Sequence, residues 1–150
     1  MKRFTIPTIA VLILAGCATP EPLHKNTASS KPEGVYPGAT VESVRNALMT
    51  RCNNGGAMTS VTENEVTCKK RLEGGGAIMT QVLIGNSYST PPIAALHYTI
   101  GPQPDGVKVW ADMWVETQMP GGQVNTMPAN DNHTRNILQD GLDRLKIKKG

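Results

Sequence analysis

Residues 107–116 read Val107-Lys108-Val109-Trp110-Ala111-Asp112-Met113-Trp114-Val115-Glu116. Successive side chains of a β-strand point to opposite faces, so this order sorts itself into two sets. Val107, Val109, Ala111, Met113 and Val115 make one apolar face. Lys108, Trp110, Asp112, Trp114 and Glu116 make the other, in which indoles alternate with charges. The first set is half of a core, and the rest of the chain must supply what covers it.

Upstream, residues 58–62 and 65–71 read as strands, either a hairpin or one bent strand. Gly74-Gly75-Gly76 leads into a further strand over 77–84. A loop over 86–92 precedes another at 93–100. Pro102-Gln103-Pro104-Asp105-Gly106 is a firm turn before the strand at 107–119. Two helices flank this run. Thr40 is a natural N-cap, and Val41, Val44, Leu48 and Cys52 recur at i, i+3, i+7 and i+11 on one helical face. Asn53-Asn54-Gly55-Gly56 ends that helix. After a loop through Pro128, Asn130-Asp131-Asn132 offers caps for a helix bearing Ile137, Leu138, Gly141, Leu142 and Leu145. Lys146, Lys148 and Lys149 follow near its negative end, where cations are favoured. The order predicts a single α+β domain over 38–150. In it an antiparallel sheet of four to five strands packs one face on an N-terminal and a C-terminal helix.

Ahead of this domain, residues 17–37 are rich in Pro, Ser, Lys and Glu, as in Thr19-Pro20-Glu21-Pro22 and Ser29-Ser30-Lys31-Pro32. Large apolar residues are nearly missing, which predicts a flexible tether. The first residues differ again. Lys2 and Arg3 precede an apolar run at 6–15, about half of the ~20 residues a membrane-spanning helix needs, which describes a secretory signal. That run ends in Leu14-Ala15-Gly16-Cys17, which resembles the bacterial lipobox. The resemblance implies removal of 1–16, a diacylglyceryl thioether on the Cys17 sulfur and, in many bacteria, a third acyl chain on the new amino group. One acyl chain anchors marginally at ~0.8 kcal/mol per buried CH₂, whereas two or three hold durably. Ala18 stands where Asp marks inner-membrane retention in many Gram-negative bacteria, so the expected address is the outer membrane, facing the periplasm. An ordinary secretory signal with an accidental cysteine is the plainer alternative.

Loss of Lys2 and Arg3 takes the formal net charge from +3 to +1, which gives no electrostatic reason to expect a nucleic-acid partner. With Cys17 acylated, Cys52 and Cys68 remain. In an exported chain such a pair is usually joined, and the bridge would pin the first helix to the sheet. Two reduced buried thiols are the alternative. No His or third Cys sits at zinc-ligand spacing, and the C-x-x-C redox pattern is absent.

Element order and anchoring together are similar to the small helix-grip domains of outer-membrane assembly lipoproteins such as BamC, over residues 38–146. That resemblance implies an architecture and a way of life, and carries no binding residues. Catalytic patterns are missing. There is no Gly-x-Ser-x-Gly, His-Glu-x-x-His or P-loop, and the Gly74-Gly75-Gly76 run lacks the Lys-Ser/Thr of a phosphate loop. Asp112 and Glu116 lie ~13 Å apart along a strand, against the ~5–10 Å that a glycosidase pair requires. His24 falls in the tether, His97 in a strand and His133 at a helix start. The expectation is a protein that is not an enzyme and uses no cofactor or metal. Trp110, Asp112, Trp114 and Glu116 are the candidate partner-binding residues. They either simply cover the sheet's outer face or dock a protein or a glycan on it. The sequence thus points to a binding or accessory subunit of a periplasmic or outer-membrane complex for assembly, secretion or transport. A peptidoglycan-binding module using Trp110 and Trp114, or an inhibitor or exclusion lipoprotein, is the alternative.

Overall fold

The computed structural model describes residues 20–147 apart from Ser87, so the signal segment, Cys17, Lys148 and Lys149 lie outside the described residues. In chain order the elements are β1 (Glu33–Pro37), α1 (Val41–Asn54), β2 (Met58–Val61), β3 (Glu65–Arg71), α2 (Gly74–Ile84), β4 (Ile93–Gln103), β5 (Gly106–Gln118), β6 (Val124–Pro128) and α3 (Asn132–Asp143). The six strands form one antiparallel sheet in the order β1-β5-β4-β3-β2, with β6 also paired to β5. The α+β architecture is the one the sequence predicts, with one strand more than expected.

β5 is the spine. β4 pairs with it from Gly106 to Glu116 on one edge. The other edge is shared, β1 taking Gly106 to Trp110 and β6 taking Trp114 to Gln118. Between them, Ala111 N donates to Pro32 O (3.0 Å) and Ala129 N donates to Met113 O (2.9 Å), so the flanking chain holds the gap. Val107, Val109 and Ala111 face inward as the alternation requires, into a cluster with Val44, Leu48 and Cys52 of α1, Val66 and Cys68 of β3, Tyr98 and Ile100 of β4, and Leu138 and Leu142 of α3. Each fully buried Val or Leu contributes ~1.5–3 kcal/mol, so this cluster is the main apolar term.

α1 starts where predicted. Thr40 Oγ1 accepts from Ser43 N and Ser43 Oγ accepts from Thr40 N, both at 3.1 Å, which satisfies two end donors reciprocally. At the other end Cys52 is joined to Cys68, with Cα atoms 5.7 Å apart. Closing a loop of this length stabilises by ~3 kcal/mol in the chain-entropy account. The hairpin alternative holds for 58–71, since Met58 to Val61 pair with Lys69 to Val66. In α3, Asp131 caps the helix by accepting from Thr134 N at 3.0 Å. Leu138 and Leu142 are buried, but Ile137 is 56% exposed, and Leu145 packs on the core from beyond the helix end.

Three expectations are corrected. Residues 77–84 are not a strand: they belong to α2. A short apolar run has no period that separates helix from strand, and this one contains no proline to stop a helix. Residues 124–128, expected in a loop, form edge strand β6, whose closing Pro128 is tolerated at that position. The described part of the tether, residues 20–37, is packed. Residues 33–37 are β1, and the stretch before them lies along α3, so the domain begins well ahead of residue 38.

The packing of this leader is polar, which is why composition hid it. Asn136, only 3% exposed, accepts from His24 N (2.8 Å) and donates to Pro22 O (2.9 Å) and Glu21 Oε1 (3.0 Å). Gln139, equally buried, accepts from Glu33 N (3.0 Å) and donates to Glu33 O (2.9 Å). Arg135 donates to Ser30 O at 2.7 Å. Two buried carboxamides thus do here what apolar side chains do elsewhere. Asn136→Ala should cost about 1–3 kcal/mol by stranding these partners. It should also free the leader, so that limited trypsin digestion followed by mass spectrometry finds faster cleavage after Lys25. An unchanged cleavage rate would count against the packing described.

Candidate functional site

Residues opposite one another in a sheet share a face, so the ladder register fixes the second face of β5. Trp110 stands between Glu33 and Thr99, and Thr99 is followed by Glu65. Asp112 stands beside His97, and His97 beside Thr67. Trp114 stands between Pro128 and Ala95, and Ala95 is followed by Lys69. Glu116 stands between Thr126 and Ile93. The four candidate residues therefore occupy consecutive rows of one face. α1 and α3 meet the sheet through the opposite face. α2 adjoins that same inner set, where Asn125 Nδ2 donates to Ile84 O at 3.1 Å and Asn125 stands opposite the inward Thr117.

The indoles are half-buried and held in place. Trp110 lies over Gly101, where an added Cβ would sit 2.7 Å from its Cζ3, so the missing side chain is what lets the ring lie down. Lys108 Nζ is 5.2 Å from the same ring and 3.0 Å from Glu33 Oε2, a cation shared between a π face and a carboxylate. The Ser29 hydroxyl at 2.6 Å, together with Lys108, holds the Glu33 carboxyl below its ordinary value against the effect of burial. Trp114 Nε1 donates to Glu116 Oε2 at 3.0 Å, and Lys69 Nζ donates to Oε1 at 2.6 Å. Burial alone would push the Glu116 carboxyl up. The two donors outweigh it and hold the group below the usual carboxylate range.

The remaining charges are matched as well. Lys31 Nζ donates to Asp112 Oδ2 at 2.9 Å. The His97 ring tilts against Trp114 with centroids 6.0 Å apart, and its Nε2 is 3.8 Å from Glu65 Oε1. Exposed Met58 and Val35 border the face, in the rows of Lys69 and Lys108. The result is a surface of paired polar and charged groups around two held aromatic rings. Asp112 and Glu116 are each engaged by a lysine, an arrangement that suits recognition rather than acid–base work. Among the described residues no three His, Cys, Asp or Glu side chains gather in a way that could hold a metal ion.

The sequence brought forward four of these residues and missed their partners. Lys31 and Glu33 were hidden in the segment expected to be a tether. Lys69 and Glu65 carried a weak signal in the alternation of Glu65-Val66-Thr67-Cys68-Lys69, but strand order was needed to bring them to Glu116 and His97.

Because the folded-state value of Glu116 is lowered, its stabilisation is fully present above the unfolded carboxylate value of about 4.3 and is lost as pH falls through the folded value. Glu116→Gln should therefore be less stable than the parent by about 1–3 kcal/mol at neutral pH. Denaturant titrations at decreasing pH should show that difference shrinking below about pH 4. A difference that stays constant down to pH 3 would contradict the pairing.

Comparison of the chain with protein-family models, with curated proteins and with solved structures gives no match.

Proposed function

We propose that this protein is a non-catalytic, lipid-anchored envelope protein, a binding or accessory subunit of a periplasmic or outer-membrane complex, whose partner docks on the helix-free sheet face. The observation that carries the reading is the placement of Trp110, Asp112, Trp114 and Glu116 in consecutive rows of that face, with Glu116 and Asp112 paired internally. Rigid indoles supply large contact area at small entropic cost, and they are the side chains most often found at the energetic centre of an interface. Charges that reach an interface already paired avoid the full desolvation penalty of isolated ions. The address rests on the Leu14-Ala15-Gly16-Cys17 lipobox and on Ala18.

Cross-linking in intact cells, followed by affinity recovery of the acylated protein, should yield a stoichiometric envelope protein. Trp110→Ala and Trp114→Ala should each lower its affinity about thirtyfold, the effect of removing ~2 kcal/mol at a central contact. Recovery of no such partner would sink the reading. Sedimentation with purified sacculi that depends on both indoles would transfer the face to peptidoglycan.

A further inference from the structure

Charge is distributed unevenly over the molecule. Residues 74–92 contain no Asp, Glu, Lys or Arg, and neither do residues 117–130. The fold brings these two runs to one end. Asn125 Nδ2 donates to Ile84 O (3.1 Å), Thr117 Oγ1 donates to Thr90 O (2.7 Å) and Thr90 N donates to Gln118 O (2.9 Å). That end also gathers exposed apolar side chains: Leu83 at 71%, Tyr88 at 83%, Val124 at 53% and Met127 at 38%. Arg71, Glu73 and the Lys69–Glu116 pair border it. A charge-free end with clustered exposed apolar groups marks a surface that is covered in use.

The leader indicates what covers it. Lys25 pairs with Asp143 (3.3 Å), His24 with Asp140 (3.1 Å), and the Glu21 carbonyl accepts from Asn132 Nδ2 (2.7 Å). Traced backward from Lys25, the chain therefore runs along α3 toward the first turn of that helix. α3 lies antiparallel to β5: Tyr36, opposite Val107, donates to Leu142 O, while Glu33, opposite Trp110, is bonded by Gln139. The start of α3 is thus level with the Met113 region, and the chain leaves in the direction of Gln118, toward the charge-free end. Cys17 precedes Pro20 by three residues, a reach of at most ~11 Å. From Trp114 to Gln118 is four residues, ~13 Å. Fully extended, these residues bring Cys17 toward the level of Gln118, which sets the anchor on the β5–β6 side of the molecule.

We infer that the end formed by α2 and the β5–β6 hairpin rests on the lipid surface that holds Cys17, a placement that depends on Cys17 being acylated. Among the described residues no helix is long and apolar enough to cross a membrane, so the contact is interfacial, with Leu83 and Val124 toward the acyl boundary and Tyr88 spanning apolar and polar layers. β5 then stands end-on to the bilayer. The sheet face with Trp110 and Trp114 is presented sideways, and the turn at Asp105 points away from the membrane.

The test uses the full acylated protein in vesicles of phosphatidylethanolamine and phosphatidylglycerol, with acylation verified by intact mass. In a Trp110→Phe, Trp114→Phe background, the indole introduced by Leu83→Trp should lose about half its emission when the lipids carry brominated acyl chains. The one introduced by Asp105→Trp should be unaffected. Equal emission from both in an acylated chain overturns the placement while leaving the anchor standing. A chain that carries no acyl group overturns the anchor reading and the placement with it. A dimer of the acylated chain that Leu83→Glu dissociates, together with no bromine quenching, would give this end to a second copy instead.

Discussion

The two-residue alternation of β5 is the constraint on which the rest depends. Over Val107 to Thr117 the odd-numbered residues turn to the helices, and the even-numbered ones to the open side. A slip of one residue against β4 would carry two indoles, an aspartate and a glutamate into the core and expel five apolar side chains, so the register has no near competitor. The strand is also fixed on both edges, by β4 along most of its length and by β1 and β6 in succession. The disulfide then ties α1 to β3, two strands away from β5 in the sheet, so that the helical layer and the sheet are held at a point distant from the spine.

A second, smaller constraint comes from α3. Buried Asn136 and Gln139 accept and donate at the backbone of residues 22–33, so an otherwise solvated segment becomes part of the body. This changes the meaning of the N-terminal region. A free tether would let the domain roam several nanometres from its attachment point. A docked leader gives the domain a defined top and bottom, with the even-numbered face of β5 on its flank and the uncharged hairpin at one end. The candidate face and the course of the leader thus depend on the same few hydrogen bonds.

Much of this was legible in the residues. The alternation at 107–116, the Thr40 cap with its i, i+3, i+7, i+11 face, the caps around Asp131 and the pairing of Cys52 with Cys68 all rest on local rules, and the structure keeps them. What was hidden depended on context. Gly74–Ile84 is a short, mostly apolar run broken only by Thr80 and Gln81, too little periodicity to distinguish helix from strand. Val124–Pro128 becomes a strand because β5 offers it an open edge. The leader is polar and proline-bearing, and composition cannot reveal that two carboxamides more than a hundred residues away await its backbone. At the candidate face, the indoles and carboxylates were visible on one strand, but Lys31, Glu33, Lys69 and His97 reached them through strand order.

The account stands or falls on whether the chain from Glu21 to Pro37 is one body with β5. Site-resolved amide hydrogen exchange on the protein addresses this directly. The amides of His24 and Glu33, which donate to Asn136 and Gln139, should exchange slowly, alongside those of β4 and β5. Exchange of these two amides at open-chain rates while β5 stays protected would contradict it.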